Sequence, residues 1–556
     1  MLNLTVNGGW MKVFTGSSRT ALEESLIGYV QNQRWFGGKA RQIKTASFQN
    51  IVPVPYDSEQ AAMTQILIDY TEEDPETYVL PLGFASGDRA EKICKANPKS
   101  VLATLSVREK NKEQTGCLYD AIFDKAFCKA LLQMIAKRRH LRGQTGDFVA
   151  APVRAMLNGQ LTSLANLEVA SMRAEQSNSS VVFGDRLILK LIRKSEPGIN
   201  PDLEVGQFLT EQVGFPHSPS VAGSIEFRPK KGQVATVGIL QKFVPNEGDA
   251  WRHTLAALSL YFDRAVTRPA DEWKDFAQRQ PFVEHVQTAT LPPLSRELVG
   301  PFLENVKLLG QRTAELHVAL ASDTEHPDFA PEPFSVLYQR SLYQAMRNHS
   351  GQMLQLLKNN IQSLRGIVLD EATKVLDRND EILGQFRSLL SNKIVAKRTR
   401  IHGDYHLGQV LYTGKDYVII DFEGEPARPL TERRIKRSPI RDVAGMLRSF
   451  HYAAYTLLFG QVGSANVRPE DLPALEPWAR IWNVWICSAF LASYREHAAP
   501  GGFLPASPEE FNILLNTYLL DKVLYELGYE LNNRPDWVRI PLAGLLQLLQ
   551  TPETSA

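Results

Sequence analysis

Apolar and polar residues alternate over 44–54, 63–70 and 77–81, the period of strands in a half-exposed sheet. A strand-like piece at 2–14 precedes them, and a helical pattern covers 21–30 with Ser17 and Ser18 as candidate caps. Together these predict a small α+β domain over residues 1–105. The period changes at 118–140, where Ile122, Phe123, Ala126, Phe127, Ala130, Leu131 and Ile135 recur as on one helix face. Residues 175–191 then read strand, turn, strand, with Gly184-Asp185 at the turn. Pro197-Gly198 breaks the pattern ahead of a helix through Phe208 and Leu209, and 237–244 is an apolar strand ending at Pro245-Asn246-Glu247-Gly248-Asp249. Residues 106–245 are accordingly a second strand-bearing region. From Trp251 onward helical periodicity dominates, over 255–262, 306–320, 338–364, 381–390, 442–458, 511–531 and 540–549, so 246–556 is a mainly helical lobe.

One stretch interrupts that lobe: His402-Gly403-Asp404-Tyr405-His406-Leu407-Gly408-Gln409, then a hairpin of 410–412 and 417–420, then Asp421-Phe422-Glu423-Gly424. The spacing suits phosphoryl transfer, which needs a carboxylate to accept a hydroxyl proton close to oxygen ligands for a metal ion. Asp404 is the candidate base, and Gln409 and Asp421 are the candidate metal ligands; ordinary loop turns are the plainer alternative. Lys190, late in its strand, is placed to meet nucleotide phosphates, with Glu204 in the first turns of the next helix as its carboxylate partner. A surface lysine and a glutamate drawn to a helix N-terminus are the competing accounts. No G-x-G-x-x-G precedes Lys190, but Ser177, Asn178, Ser179 and Ser180 are small enough for phosphate oxygens to approach, unless they form a solvated turn. Backbone at Lys242, Phe243 and Val244, ahead of the hinge, would meet adenine. Arg448 and Tyr452, four apart on one helix face, are candidate sugar contacts. The run Arg433, Arg434, Lys436, Arg437, Arg441 is a solvated face, a steering patch or a loop anchor. Trp478, Trp482 and Trp485 recur at helical spacing, as core residues do.

With 556 residues, 44% hydrophobic, the chain can bury a large core in more than one domain. A balance of 62 basic against 61 acidic residues offers no bulk attraction to nucleic acid or an acidic membrane. Four scattered cysteines, without zinc spacing or disulfide density, read as buried free thiols. No leader pattern and no membrane-length apolar run is apparent, and a cytoplasmic enzyme is expected.

Gln409 stands where protein kinases have Asn and Glu423 where they have Gly, and no Ala-Pro-Glu follows. The pattern resembles instead the small-molecule branch of the kinase-like fold, with its aminoglycoside and choline kinases. Across most of the chain it resembles the bacterial maltokinases: Gln33-Arg34-Trp35-Phe36-Gly37-Gly38-Lys39, 175–190, 197–204, 402–409, 421–426, 438–449 and 529–541 all carry the likeness. The resemblance implies an α+β, two-lobed protein-kinase-like (aminoglycoside-phosphotransferase-like) fold with an N-terminal α+β cap subdomain and a helical C-terminal lobe. It further implies ATP and Mg2+ as cofactors and transfer of the γ-phosphate to the anomeric hydroxyl of maltose, with Asp404 as base, Gln409 and Asp421 on magnesium, and Lys190 supported by Glu204 on ATP. His406 and Glu423 would lie in the metal or sugar shell. The opening Gly9-Trp10-Met11-Lys12-Val13-Phe14 resembles the junction in relatives fused to a trehalose synthase, so association with such a synthase is a further expectation. A kinase for glucose or glucosamine and a catalytically silent scaffold are the rival expectations.

Overall fold

Alternation in the first 120 residues builds a six-stranded sheet in the order β1-β5-β6-β4-β3-β2. Its strands are β1 (Leu2–Asn7), β2 (Ile43–Tyr56), β3 (Glu59–Tyr70), β4 (Glu76–Ser86), β5 (Val101–Glu109) and β6 (Lys112–Asp120), with α1 (Gly16–Gln31) and α2 (Gly87–Ala96) between them. The computed structural model describes residues 2–57, 59–109, 112–156, 160–164, 166–174, 178–269, 272–276, 281–288, 290–459 and 469–549. On β3, Ala62, Ile66 and Ile68 pack with Leu22, Leu26 and Val30 of α1, while Ala61 and Met63 point into a second core on the other face. The loop through Trp35 and Phe36 packs both rings on Tyr78, at 5.7 and 5.2 Å between centroids.

A seven-stranded sheet follows, in the order β7-β8-β12-β13-β11-β10-β9. It consists of β7 (His140–Leu141), β8 (Gly146–Pro152), β9 (Val169–Ala174), β10 (Asn178–Phe183), β11 (Leu187–Ile192), β12 (Val221–Pro229) and β13 (Ala235–Lys242), with α3 (Lys125–Ala136), α4 (Gln160–Leu164) and α5 (Pro201–Phe208). The second core is common to both sheets: Val52, Val54 and Val79 join Leu131, Ile135, Phe148, Val181 and Leu189. The expected domain end at 105 falls inside β5, because β6 pairs with both β4 and β5 and closes the first sheet at Asp120. The helix expected over 118–140 begins only at Lys125, where the Asp124 side chain accepts from Ala126 N.

The chain divides into two compact units after Pro245. The second unit holds α6 (Ala250–Ala265), α7 (Phe282–Thr288), α8 (Pro293–Val299), α9 (Phe302–Leu320), β14 (Glu332–Pro333), α10 (Val336–Asn360), α11 (Gly366–Asp377), α12 (Asn379–Arg387), β15 (Lys397–Arg398), β16 (Val410–Tyr412), β17 (Tyr417–Ile419), α13 (Leu430–Arg433), α14 (Ile440–Leu458), α15 (Leu472–Ala498), α16 (Pro508–Asn533) and α17 (Arg539–Leu548). Trp482 is sealed at its centre, stacked on Phe302 at 6.3 Å and edge-on to Phe450, and Trp478 and Trp485 are buried on the same helix. No helix among the described residues is long and apolar enough to cross a membrane.

Candidate functional site

Asp442, near the start of α14, organises the loop at 401–404. Its carboxylate, 1% exposed, accepts the backbone N–H groups of His402 (2.7 Å) and Gly403 (3.0 Å) and pairs with His317 Nε2 of α9 at 3.1 Å. Loop amides have no ladder partners, so a buried acceptor is what allows this segment to lie inside the unit. Burial would raise the Asp442 carboxyl, but the hydrogen bond and charge of His317, the charge of His402 and the Gly403 N–H outweigh it and hold it below its ordinary value. The next residues are gripped from two sides. Tyr405 OH lies 2.8 Å from Thr313 Oγ1 of α9, and Leu407 N donates to Ser449 Oγ of α14 at 3.1 Å. Tyr405 O passes so near α14 that a Cβ on Gly445 would stand 2.6 Å from it.

The same loop is tied to the hairpin. His402 Nε2 meets Ile420 O at 2.9 Å, and Gln409 Nε2 donates to Asp421 Oδ2 at 3.0 Å. Asp421 has φ +68°, a left-handed conformation that non-glycine residues seldom adopt, and the turn it makes after β17 delivers its carboxylate to Gln409. Carboxylate and amide oxygens are hard donors of the kind magnesium takes, so these residue types suit that ion, with Gln409 here turning its Nε2 rather than its oxygen to Asp421. Glu423 is buried two residues on. His406 lies beside the candidate base, its Nε2 3.9 Å from Asp404 Oδ2, and its Nδ1 accepts from Gly408 N. Desolvation in the loop lowers the His406 pKa against the pull of Asp404, which keeps the ring neutral near neutral pH.

Asp404 itself is half-buried and faces a small pocket lined by one stripe of α16, namely Tyr518, Asp521, Lys522 and Tyr525. Lys522 Nζ stands 3.6 Å from Asp404 Oδ1 and 4.9 Å from the Tyr525 ring. Asp521 pairs with His349 Nδ1 of α10 at 2.9 Å. Its burial would raise its pKa, but the His349 hydrogen bond and the charges of His349, Arg441 and Arg428 lower it overall. Glu425 completes the wall by accepting from Arg428 Nε (2.7 Å) and Arg441 Nη2 (3.4 Å). Fixed donors and acceptors thus line a small polar pocket at Asp404.

In the first unit Lys190 of β11 lies opposite Ser180 of β10, and its Nζ is 3.3 Å from Asp202 Oδ2. Asn200 Oδ1 accepts from Asp202 N at 2.8 Å and Pro201 opens α5, a capped start that puts both Asp202 and Glu204 in the first turn. Glu204, expected beside Lys190 from the sequence, shares this first turn with Asp202, whose contact with Lys190 the sequence reading missed.

Several expected contacts need correction. Ser179 and Ser180 lie within β10, paired on one side with β9 and on the other with β11, so their backbone is spent in ladders and cannot cradle phosphate as a loop would. The Ser179 hydroxyl accepts from Arg193 Nε at 2.9 Å. Asn178 is the first residue of that strand, and Ser177 lies outside the described residues. Lys242 N donates to Ser220 O and Phe243 N to Arg186 O, so these two amides are already committed within the first unit. Arg448 is 3% exposed, and its Nη2 donates to Glu526 at 2.6 Å. Tyr452 stacks on Trp537 at 6.0 Å and hydrogen-bonds Glu530. Neither is among the residues lining the Asp404 pocket. The basic run anchors its own segment: Arg434 pairs with Asp328, Lys436 with Glu332 and the Pro327 carbonyl, and Arg441 with Glu425.

Residues 29–124 match the family of maltokinase N-terminal cap domains. This segment is similar to a maltokinase N-terminal cap. The match runs from the end of α1 through β6 to Asp124, so the maltokinase cap coincides with the first sheet apart from β1 and most of α1. The chain is also 24% identical over 387 residues to a glucosamine kinase of Mycolicibacterium smegmatis, an alignment that covers 67% of this chain and 78% of that protein. A solved glucosamine kinase, crystal form A, superposes with a TM-score of 0.56 at 16% identity over 91% of this chain and 92% of that one. A glucosamine kinase in complex with glucosamine, ADP and inorganic phosphate gives a TM-score of 0.55 at 17% identity, over 94% and 99% of the two chains. The chain thus has the kinase-like fold of these proteins, mixed α/β with a helical C-terminal part.

Proposed function

We propose that the chain is an ATP-dependent sugar kinase that transfers the γ-phosphate to the anomeric hydroxyl of maltose, giving maltose 1-phosphate. The observation that carries the kinase reading is Asp404 facing a polar pocket on the same anchored loop that ends in the Gln409–Asp421 pair. In this reading a sugar hydroxyl donates to Asp404, which takes its proton as the oxygen attacks the γ-phosphorus and the bond to the bridging oxygen breaks, releasing ADP. Lys522 orients the carboxylate, and Lys190 with Asp202 holds nucleotide phosphate. Gln409 and Asp421 would hold magnesium, which when bound neutralises charge on the phosphate oxygens. Maltose as acceptor is supported by the maltokinase cap at 29–124. Glucosamine is a second acceptor to weigh, because the relative and the solved structures named above are glucosamine kinases.

The purified protein with Mg-ATP is tested on maltose, glucose and glucosamine, with phosphorus NMR locating the product. Phosphate on the anomeric carbon of maltose is the expected result. Transfer only to glucosamine leaves the kinase reading and removes maltose, whereas no transfer to any sugar defeats both. Asp404→Asn run in parallel is expected to lower kcat by roughly 10²- to 10⁴-fold with an unchanged melting temperature.

A further inference from the structure

The sheet that carries Lys190 meets the cap sheet along a shared edge. Val79 N donates to Arg193 O (2.7 Å), Ser195 N donates to Thr77 O (2.8 Å), and Tyr78 pairs with Lys194, so the chain just past β11 runs antiparallel to β4. At this seam the Arg193 side chain has no exposed surface. Its Nη2 donates to Asp120 Oδ2 at 2.7 Å, its Nη1 to Val79 O at 3.4 Å and its Nε to Ser179 Oγ at 2.9 Å, and its guanidinium lies over the Trp35 ring at 5.0 Å. Asp120, the last residue of β6, also accepts from Ile122 N. One side chain therefore holds the cap at Asp120, Val79 and Trp35 and holds β10 at Ser179, three residues beyond Lys190.

A buried ion pair adds little stability over well-packed apolar groups; what the planar guanidinium fork supplies is direction. Here it fixes a strand face. Ser179 and Ser180 are consecutive, so the residue whose hydroxyl turns to Arg193 determines which residue stands opposite Lys190. Resting on the kinase reading above, we propose that Arg193 is a positioning residue for nucleotide: braced on Asp120 of the cap, it sets β10 against Lys190, so that the cap carries part of the affinity for a nucleoside triphosphate.

The test uses the full chain and three variants. Arg193→Met keeps the length and removes the fork, Arg193→Lys keeps the charge, and Ser179→Ala removes only the contact to β10. Calorimetric titration with Mg-ATP, KM for ATP and for the sugar, kcat and thermal melting are measured on each. For Arg193→Met we expect ATP affinity to fall roughly tenfold or more, with a rise in KM for ATP larger than any change in kcat or sugar KM. Arg193→Lys should recover part of that loss, and Ser179→Ala should show a smaller loss of the same kind. Unchanged ATP affinity, or equal damage to ATP and sugar kinetics, overturns the proposal. If Arg193→Met does not fold, Ser179→Ala decides by the same readings. A wild-type chain that binds no ATP removes the kinase reading and this proposal together; a wild type that binds ATP beside variants that bind it equally removes only this proposal.

Discussion

Carboxylates in this chain are separated into roles by what surrounds them. Asp442 is sealed and saturated with donors, and it fixes a loop; Asp404, on that loop, faces a pocket and has Lys522 Nζ beside it. Glu76 is a third case, accepting from Arg41 Nη2, Tyr70 OH, Tyr78 OH and Lys194 Nζ, each at 2.7 Å. Partial burial would raise its pKa, but the bonds from Arg41, Lys194 and the two tyrosines bring it down to about 2. A depressed carboxyl contributes stability that is complete above its unfolded value and is lost as pH falls through the folded one. Glu76 should therefore support the first unit above pH of about 4.5 and cease to do so as pH drops towards about 2. Glu76→Gln should flatten that part of the acid limb in melting curves measured across this range. A persistent slope of wild-type size would show that other groups produce it. Asp404 could be proposed from spacing because the residues grouped with it sit in one short segment. Asp442 could not, because an aspartate opening a helix looks the same whether it caps that helix or holds a distant loop.

Among the elements, α14 and α16 build the walls of the Asp404 pocket. Tyr518, Asp521, Lys522 and Tyr525 share one α16 face, yet the hydrophobic pattern of that helix showed only a long buried element. Their polarity was visible, but what they face depends on packing that periodicity does not encode. Strands were more legible. Alternation located β2 closely, because one of its faces is polar, and found β3 and β4 only in part, because both of their faces are buried between α1 and the second core. It failed around residues 118–124, where apolar residues at the end of β6 and in the following turn imitate a helical period. The α14 contact gives a direct expectation. Gly445→Ala would push a methyl into Tyr405 O, at an overpacking cost of about 1–3 kcal/mol. Because the atom it meets belongs to the base loop, kcat should fall along with the melting temperature. Retained kcat in a variant of lowered stability would show that the loop absorbs the methyl without moving Asp404.

For the whole molecule, the shared core and the Arg193 seam make the first unit a single body built of two sheets. Asp120→Ala strands a buried arginine, a loss of about 3–5 kcal/mol, and amide hydrogen exchange should quicken in both sheets together. Quickening in the six-stranded sheet alone would mean that the two open separately. This union was hidden from sequence, since Asp120 and Arg193 lie far apart along the chain and neither belongs to a motif. It also bears on how such chains can be recombined. The recognisable cap ends at Asp124, but the strand following Lys190 borrows its edge partner from residues 77–79 and its buried counter-charge from Asp120. A graft made at the recognisable border would sever a load shared across it, so a foreign cap could be accepted only if it arrived with its own acid and open strand edge in register, and inheritance of the cap would have to be co-inheritance with the arginine that clasps it.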